Sequence, residues 1–372
     1  MSGYRLEKQP AVVFQRFKKG LTMKFDFCIG NPPYQEETAK KETKNGQKTS
    51  HSIFHYFQIA ADNISSISSV LIYPAARWIH RSGKGMRDFG FSQINDTRLK
   101  KLVVYKSSKD VFPSTEIGDG ISIVIKRQDK ESAEFLYVLK DRDAQKEAML
   151  ANPGEDLIPM DPNDIAIISK IKNFIIRKKA DYLNTNVLPR SLFGIESDFV
   201  ENNPDKVKPF CKNFDIKNEI KVFTNDKAGK AGRATWFIAN KDIVQQNQHL
   251  INEWQVVVSS ASPGGQKRDN QIEIIDNNSA FGRSRVALKS FKTEQEAKNF
   301  FGYANSNIIK YAMLLTDENL TSFAKLVPDI LDYSDKSFID FSKDIDKQLC
   351  DEMGLSDDEH AYIVNKVKSV RA

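Results

Sequence analysis

Apolar residues along this chain follow two rhythms. Short unbroken runs, closed by proline, glycine or polar clusters, alternate with stretches where apolar positions recur every three or four residues. The first rhythm predicts buried strands and the second amphipathic helices. In the first third the runs fall at 25–29 (FDFCI), 70–73 (VLIY, stopped by Pro74), 102–104, 121–125 (ISIVI) and 135–139. Ile53, Phe54, Phe57, Ile59 and Ala60 keep helical spacing, which predicts a helix over 51–64, and a second, punctuated by glycine, covers 84–95. Residues 35–50 are polar and rich in lysine and read as a mobile loop. Strands alternating with helices predict an α/β fold whose parallel or mixed sheet is covered on both faces.

The pattern changes after 151–163, where prolines, a glycine and acidic residues make linker chemistry. Beyond it, lysines crowd 205–233, and strand-like runs at 235–239 and 254–258 predict a β-rich module. Ala297, Phe300, Phe301, Ala304, Ile308 and Ile309 share one face of a helix over 292–315, opened by a capping box of Thr293 and Glu296. The tail 343–370 predicts two helices around Gly354, with Ser356 capping the second. The expected division is a lead-in at 1–22, an α/β half-domain at 23–150, a mixed α+β module at 151–342 and a helical tail at 343–372.

Composition narrows the class only a little. The 372 residues are 40% hydrophobic and 28% charged, with net charge +6, ordinary for a globular protein and permissive of an acidic partner. Cys28, Cys211 and Cys350 are far apart and match no metal spacing. With neither a secretory signal nor an apolar run near ~20 residues, they read as reduced thiols of a cytoplasmic chain. His51 and His55 stand four apart without a third ligand, so they read as a pair on a helix surface and no metal is expected.

The richest chemistry lies in the exit from the first run, FDFCIGNPPY at 25–34. Asn-Pro opens turns, so the plain reading is a stiff exit from a strand. The chemical reading begins from a conjugated exocyclic amino group, whose lone pair is delocalised into its ring. Two acceptors that receive both N–H hydrogens pull that lone pair out of conjugation. The Asn31 amide oxygen supplies one and the Pro32 carbonyl the other. Pro32 and Pro33 fix φ, so the acceptors stand in place before the amine arrives. Tyr34 offers an aromatic face.

This run resembles the catalytic motif of amino-methyltransferases that use S-adenosylmethionine. The resemblance continues through HSIFHYFQIAA, SSVLIYPAARWI, VVYKSSKDVFPS and GDGISIVIKR, over roughly residues 24–130. It implies half of a Rossmann-like methyltransferase sheet followed by a target-recognition region, as in restriction–modification adenine methylases of the combined type II kind. It implies catalytic Asn31, Pro32, Pro33 and Tyr34, and a flipped adenine stacked between Tyr34 and Phe112. Extruding that base from a duplex costs a few kcal/mol, and stacking returns about 1–3 kcal/mol per base. Asn31 is also the only edge of a cofactor site in view. The glycine-rich cofactor motif of the family is not found: DKAGKAGR at 226–233 and SPGGQ at 262–266 lack the strand–turn–helix context and read as loops. Without that lobe the strand at 25–29 becomes an exposed apolar edge. It is covered by residues 1–22, completed by a second polypeptide that carries the cofactor lobe, or left bare in a truncated remnant.

Double-stranded DNA is the expected partner, with no membrane. Lys212, Lys221, Lys227, Lys230 and Arg233, interleaved with Phe210, Phe214, Phe223 and Trp236, form one candidate phosphate-tracking surface. Lys267, Arg268, Arg283 and Arg285 form a second cluster in loops. The function expected is transfer of a methyl group to adenine N6 within a restriction–modification system. The rivals are a DNA-recognition subunit without catalysis and a protein glutamine methyltransferase, which shares the Asn-Pro-Pro-Tyr motif.

Overall fold

A computed structural model describes residues 24–42, 48–83, 85–130, 132–142, 144–226, 234–266, 268–316, 320 and 322–370. The chain forms two compact units, Met1–Leu157 and Ile158–Ala372.

The first unit is built on a six-stranded mixed sheet in the order β1-β4-β6-β5-β7-β8. Its strands are β1 (Phe25–Gly30), β4 (Ser65–Pro74), β5 (Leu99–Tyr105), β6 (Ile121–Arg127), β7 (Glu134–Asp141) and β8 (Ala144–Ala151). β1 pairs parallel with β4 and β5 with β7, while β6 lies antiparallel between β4 and β5. The carboxyl ends of β1, β4, β5 and β7 therefore share one rim of the sheet. The helices are α1 (Phe54–Ile64), α2 (Ala76–Ile79) and α3 (Met86–Ile94). Phe54, Gln58, Ala61 and Asp62 of α1 are buried at helical spacing, and Phe54 stacks on Tyr73 of β4 at 4.8 Å. Trp78 of α2 donates its indole N–H to Ser122 Oγ of β6 at 3.1 Å. Phe89 of α3 packs on the same Tyr73 at 6.3 Å.

All three contacts lie on one face, because Tyr73 and Ser122 are register partners. The expectation of a sheet covered on both faces is thus corrected for the described helices of this unit. On the opposite face Phe25, Phe27 and Ile29 of β1 are 46%, 60% and 76% exposed, and Met149 of β8 is 61% exposed. β1 is also an edge, paired among the described residues with β4 alone.

Two further departures come from segments whose sides are both polar. Residues 35–50, expected as a mobile loop, form an antiparallel hairpin of β2 (Gln35–Glu42) and β3 (Lys48–Ser52), in which Gln35 pairs with Ser52 and Glu36 with His51. β8 is a mostly exposed edge that folds back on β7. β8 buries none of its residues, so hydrophobic alternation carries no trace of it. The start of the 151–163 segment is held to the first unit. Arg81 donates to the carbonyls of Gly154, Glu155 and Asp156 at 2.6, 2.9 and 3.0 Å. Asn95 exchanges two hydrogen bonds with Gly154.

The second unit opens with α4 (Asp164–Lys178), β9 (Asp181–Tyr182) and the one-turn α5 (Phe199–Asn202). Its strands β10 (Val207–Pro209), β11 (Glu219–Asn225), β12 (Ala234–Asn240) and β15 (Ser279–Phe281) form one sheet in the order β10-β12-β11-β15. β13 (Trp254–Ser259), β14 (Glu273–Ile275) and β16 (Arg285–Phe291) form another, and β17 (Pro328–Asp329) pairs with β9. Phe193, Ile195, Val222, Val257, Ile275 and Phe281 lie in their shared core.

The helix expected over 292–315 is two, α6 (Glu294–Asn305) and α7 (Asn307–Leu314). Ser306 is extended between them, and its hydroxyl caps Ile309 N. Thr293 caps α6 as expected, accepting from Glu296 N at 3.2 Å. In the tail, α8 (Ile345–Met353) ends at Gly354 with φ +65°, and α9 (Asp357–Ser369) starts with a full Ser356–Glu359 capping box. Tyr311 of α7, and Tyr362 and Lys366 of α9, all donate to the buried Asp164 carboxylate of α4 at 2.6–2.8 Å.

Candidate functional site

The Asn-Pro-Pro-Tyr segment leaves β1 at the carboxyl rim of the sheet, where open α/β sheets bind their ligands. Asn31 is exposed, Pro32 buried, Pro33 exposed and Tyr34 half-buried. Neither the Asn31 amide nor the Pro32 carbonyl has a hydrogen-bond partner among the described residues. The far end of the segment is pinned, since Ile53 N at the start of α1 donates to the Tyr34 carbonyl at 3.0 Å. The Tyr34 hydroxyl is buried without a partner, and burial raises its pKa. The motif therefore has a fixed frame and two acceptors without a partner among the described residues, one on the exposed Asn31 and one on the buried Pro32.

Phe112 stands on the loop between β5 and β6, at the same rim. Ser108 builds that loop: its hydroxyl donates to the Thr115 carbonyl and accepts from Ile117 N, both at 2.8 Å. Its carbonyl accepts from Phe112 N at 2.7 Å. Gly120 closes the loop with φ +65°, and a Cβ there would lie 2.5 Å from the Tyr105 carbonyl oxygen, so only glycine fits. The loop is tied to the end of β4 by Ala75 N to Gly120 O at 3.2 Å and Ala76 N to Asp119 O at 2.9 Å. An Arg77–Asp119 ion pair at 2.9 Å adds to it. One strand, β4, separates β1 from β6, so the motif and the loop meet the sheet roughly 10 Å apart. Phe112 is half-buried, and its ring does not touch that of Tyr34.

A buried polar network lies under the motif. Asp62 of α1 accepts from Gln58 Nε2 at 2.7 Å, Ser69 Oγ at 2.9 Å and Lys126 Nζ at 2.7 Å. Lys126 also bonds Asp96 at 2.7 Å, and Arg98 grips Asp96 through two nitrogens. Burial alone would raise the Asp96 pKa, but the Arg98 hydrogen bonds and the Lys126 charge hold it well below the usual carboxylate range. Cys28 of β1 feels this network: burial and then the Asp62 charge push its thiol up, which rules it out as an activated thiolate.

His51 and His55 do not share a helix face as their spacing suggested. His51 is in β3 and His55 in the first turn of α1. The His55 ring packs on Tyr56 at 3.9 Å, and burial lowers its pKa. No group that could hold a metal occurs among the described residues.

The basic candidates of the second unit fare unequally. Lys212 and Arg268 are exposed, and neither side chain has a described partner. Lys221 is engaged with Asp276 and lies over the Trp236 ring at 5.6 Å. Arg283 pairs with Glu196 at 2.7 Å. Arg285 is 4% exposed, with its guanidinium 5.0 Å from the Phe223 ring and bonded to Gln271 at 2.9 Å. Phe223 in turn packs on Trp236 at 5.0 Å. Arg285, Phe223, Trp236 and Lys221 thus form an internal ladder of cations and rings, and Arg285 offers no surface charge. The sequence missed this ladder because residues of three strands, β11, β12 and β16, meet only in the fold. Lys227, Lys230, Arg233 and Lys267 lie outside the described residues.

Fold and site together define a mixed α/β sheet that presents an Asn-Pro-Pro-Tyr exit at its carboxyl rim. Comparison with known proteins agrees: residues 5–112 match the model of the Eco57I restriction-modification methylase family. A relative from Mycoplasma pneumoniae (strain ATCC 29342 / M129 / Subtype 1), described as an uncharacterized adenine-specific methylase, is 32% identical over 103 residues. That match covers 28% of this chain and 24% of the relative, so the chain spans about a quarter of the relative's length. Among solved structures, the type IIL restriction-modification enzyme MmeI in complex with DNA aligns over 92% of this chain and 53% of its own, at 11% identity and TM-score 0.38. A nuclease-deletion mutant of the type ISP restriction-modification enzyme LlaGI with a DNA substrate mimic aligns over 85% and 40%, at 11% identity and TM-score 0.37.

Proposed function

We propose that this chain carries the amine-activating half of a DNA adenine-N6 methyltransferase of a restriction–modification system. The observation that carries the reading is the pair of acceptors at the carboxyl rim that have no partner among the described residues, the exposed Asn31 amide and the carbonyl of the buried Pro32, on a strand exit fixed by two prolines. An adenine entering there gives one amino hydrogen to each oxygen. The lone pair then turns out of the ring plane and becomes nucleophilic. Tyr34 and Phe112 flank the base. A sandwiched ring needs ~7 Å between flanking faces, twice the ~3.5 Å contact distance, and the ~10 Å between the two segments at the sheet leaves room for it. The buried Asp62–Lys126–Asp96 network holds α1 and the sheet in register beneath the motif.

S-adenosylmethionine is the cofactor of this reading and would supply the electrophilic methyl group. The described residues do not make a site for it beyond Asn31 at its edge, because β1 has no neighbour on its outer side. The cofactor-binding lobe is therefore supplied from outside the described residues, and we favour a second polypeptide that adds to the free edge of β1 and covers Phe25, Phe27 and Ile29. Double-stranded DNA is the substrate, and Lys212 and Arg268 are its candidate phosphate contacts on the second unit.

The test is methyl transfer to mixed-sequence duplex DNA with a labelled donor, with the chain alone and with the product of a neighbouring reading frame. Label on adenine N6 that disappears in Asn31→Ala supports the reading. Label on a protein acceptor only, or salt-sensitive DNA binding without label under either condition, overturns it.

A further inference from the structure

The second unit contains a cavity of about 240 Å³ lined by Asn184, Val187, Leu188, Arg190, Val286 and Phe323, among others. Its walls are held by backbone bonds from three segments. Leu188 N donates to Ala287 O at 2.9 Å, Leu183 N to Val327 O at 2.8 Å and Asn184 N to Ala324 O at 3.3 Å. Val286 and Phe323 are fully buried, so the floor is apolar and ordered. Asn184 and Arg190 are exposed at its margin, and neither side chain has a partner among the described residues. Glu196, the nearest acid acting on Arg190, is occupied by Arg283 at 2.7 Å. Partial burial and the like charge of Arg283 both disfavour the Arg190 cation, with Glu196 opposing them.

Size and chemistry narrow the occupant. The volume lies under the ~300 Å³ at which sites for whole drug-sized ligands begin, so the cavity takes one ring and leaves the rest outside. Apolar walls with one aromatic side chain suit a planar ring. A free side-chain amide can meet that ring's polar edge with both a donor and an acceptor. An unpaired guanidinium suits a phosphate. We propose that this cavity binds one nucleotide unit of a nucleic-acid strand, with the base inside, the Asn184 amide at its edge and the phosphate at Arg190. The inference rests on nucleic acid being the partner of the second unit, and it places a base-holding site far in sequence from Tyr34 and Phe112.

Two measurements on the full chain test it. Saturation-transfer NMR with thymidine 5′-monophosphate should show transfer to the base protons. Val187→Trp, which fills the cavity, should abolish that transfer. Arg190→Glu should weaken binding by roughly tenfold or more, as expected for a lost charge-assisted contact. Both sites are surface-accessible, and unchanged melting confirms that the variants fold. In parallel, a labelled single-stranded oligonucleotide followed by anisotropy should lose affinity in both variants. Inorganic phosphate binding as well as the nucleotide would overturn the proposal in favour of a plain anion patch. Oligonucleotide binding indifferent to both variants would overturn the site while leaving the nucleic-acid reading intact. No nucleic-acid binding by the wild-type chain would overturn both.

Discussion

At the scale of single residues, Asn31 and Tyr34 make opposite predictions. Asn31 is exposed and bonds nothing among the described residues, so Asn31→Ala should leave the melting temperature unchanged. The same change should lower methyl transfer by a factor of about 100 or more, the scale on which one preorganised polar group matters. Tyr34 hides an unpaired hydroxyl. Tyr34→Phe removes that group without leaving a partner stranded, so urea denaturation should find the variant equally stable or stabilised by up to ~1 kcal/mol. Transfer should persist, because the ring face remains. Tyr34→Ala and Phe112→Ala should each weaken binding of a duplex with an unpaired adenine by about 1–3 kcal/mol, read by anisotropy. A change in one but not the other would break the proposed sandwich.

Among elements, α1, β5 and β6 depend on the buried cluster of Asp62, Lys126, Asp96 and Arg98. Lys126 is 1% exposed. Lys126→Met should cost about 3–5 kcal/mol, because it leaves two carboxylates facing each other without their shared cation. Chemical denaturation of the first unit's near-UV signal would report it. The pH dependence follows from Asp96, whose folded pKa lies below its unfolded value near 3.9. Its stabilisation is complete above that unfolded value and is lost as pH falls toward the folded pKa. The wild-type chain should therefore lose stability progressively below pH ~4, and Lys126→Met, which lets the folded Asp96 pKa rise toward the unfolded value, should show a smaller loss that begins at the same pH and ends at a higher one. Identical acid titrations for the two proteins would remove Asp96 from the account.

For the molecule as a whole, the free edge of β1 is the dominant surface feature. Phe25, Phe27 and Ile29 form an exposed apolar stripe on a strand that, among the described residues, pairs on one side only, the arrangement that invites a further chain. Phe27→Lys with Ile29→Lys should reduce self-association of the chain in gel filtration without lowering its melting temperature. The pair should also abolish any transfer that depends on a partner lobe. Unaltered partner-dependent transfer would mean that the lobe docks elsewhere. Arg81 and Asn95 bind 154–156 to the first unit, so Arg81→Ala should open a new protease cut near Glu155 in limited digestion.

Periodicity and turn chemistry alone determined the strands (the first, 25–29, is exposed where a buried one was expected), the helix behind the motif, the caps at Thr293 and Ser356 and the stop at Gly354, because each depends on neighbours within a few positions. They also marked Asn-Pro-Pro-Tyr as a rigid exit. Only the tertiary structure decided that Phe112 and Tyr34 leave the same rim of one sheet, that the described helices of the first unit pack on one face of that sheet, and that Arg285 turns inward onto Phe223. It also decided the hairpin at 35–52 and the edge strand β8, whose pairing comes from backbone hydrogen bonds that no apolar pattern records. Strand order, the side a residue faces and the company a charge keeps depend on contacts between positions tens of residues apart, and local spacing carries no information about those.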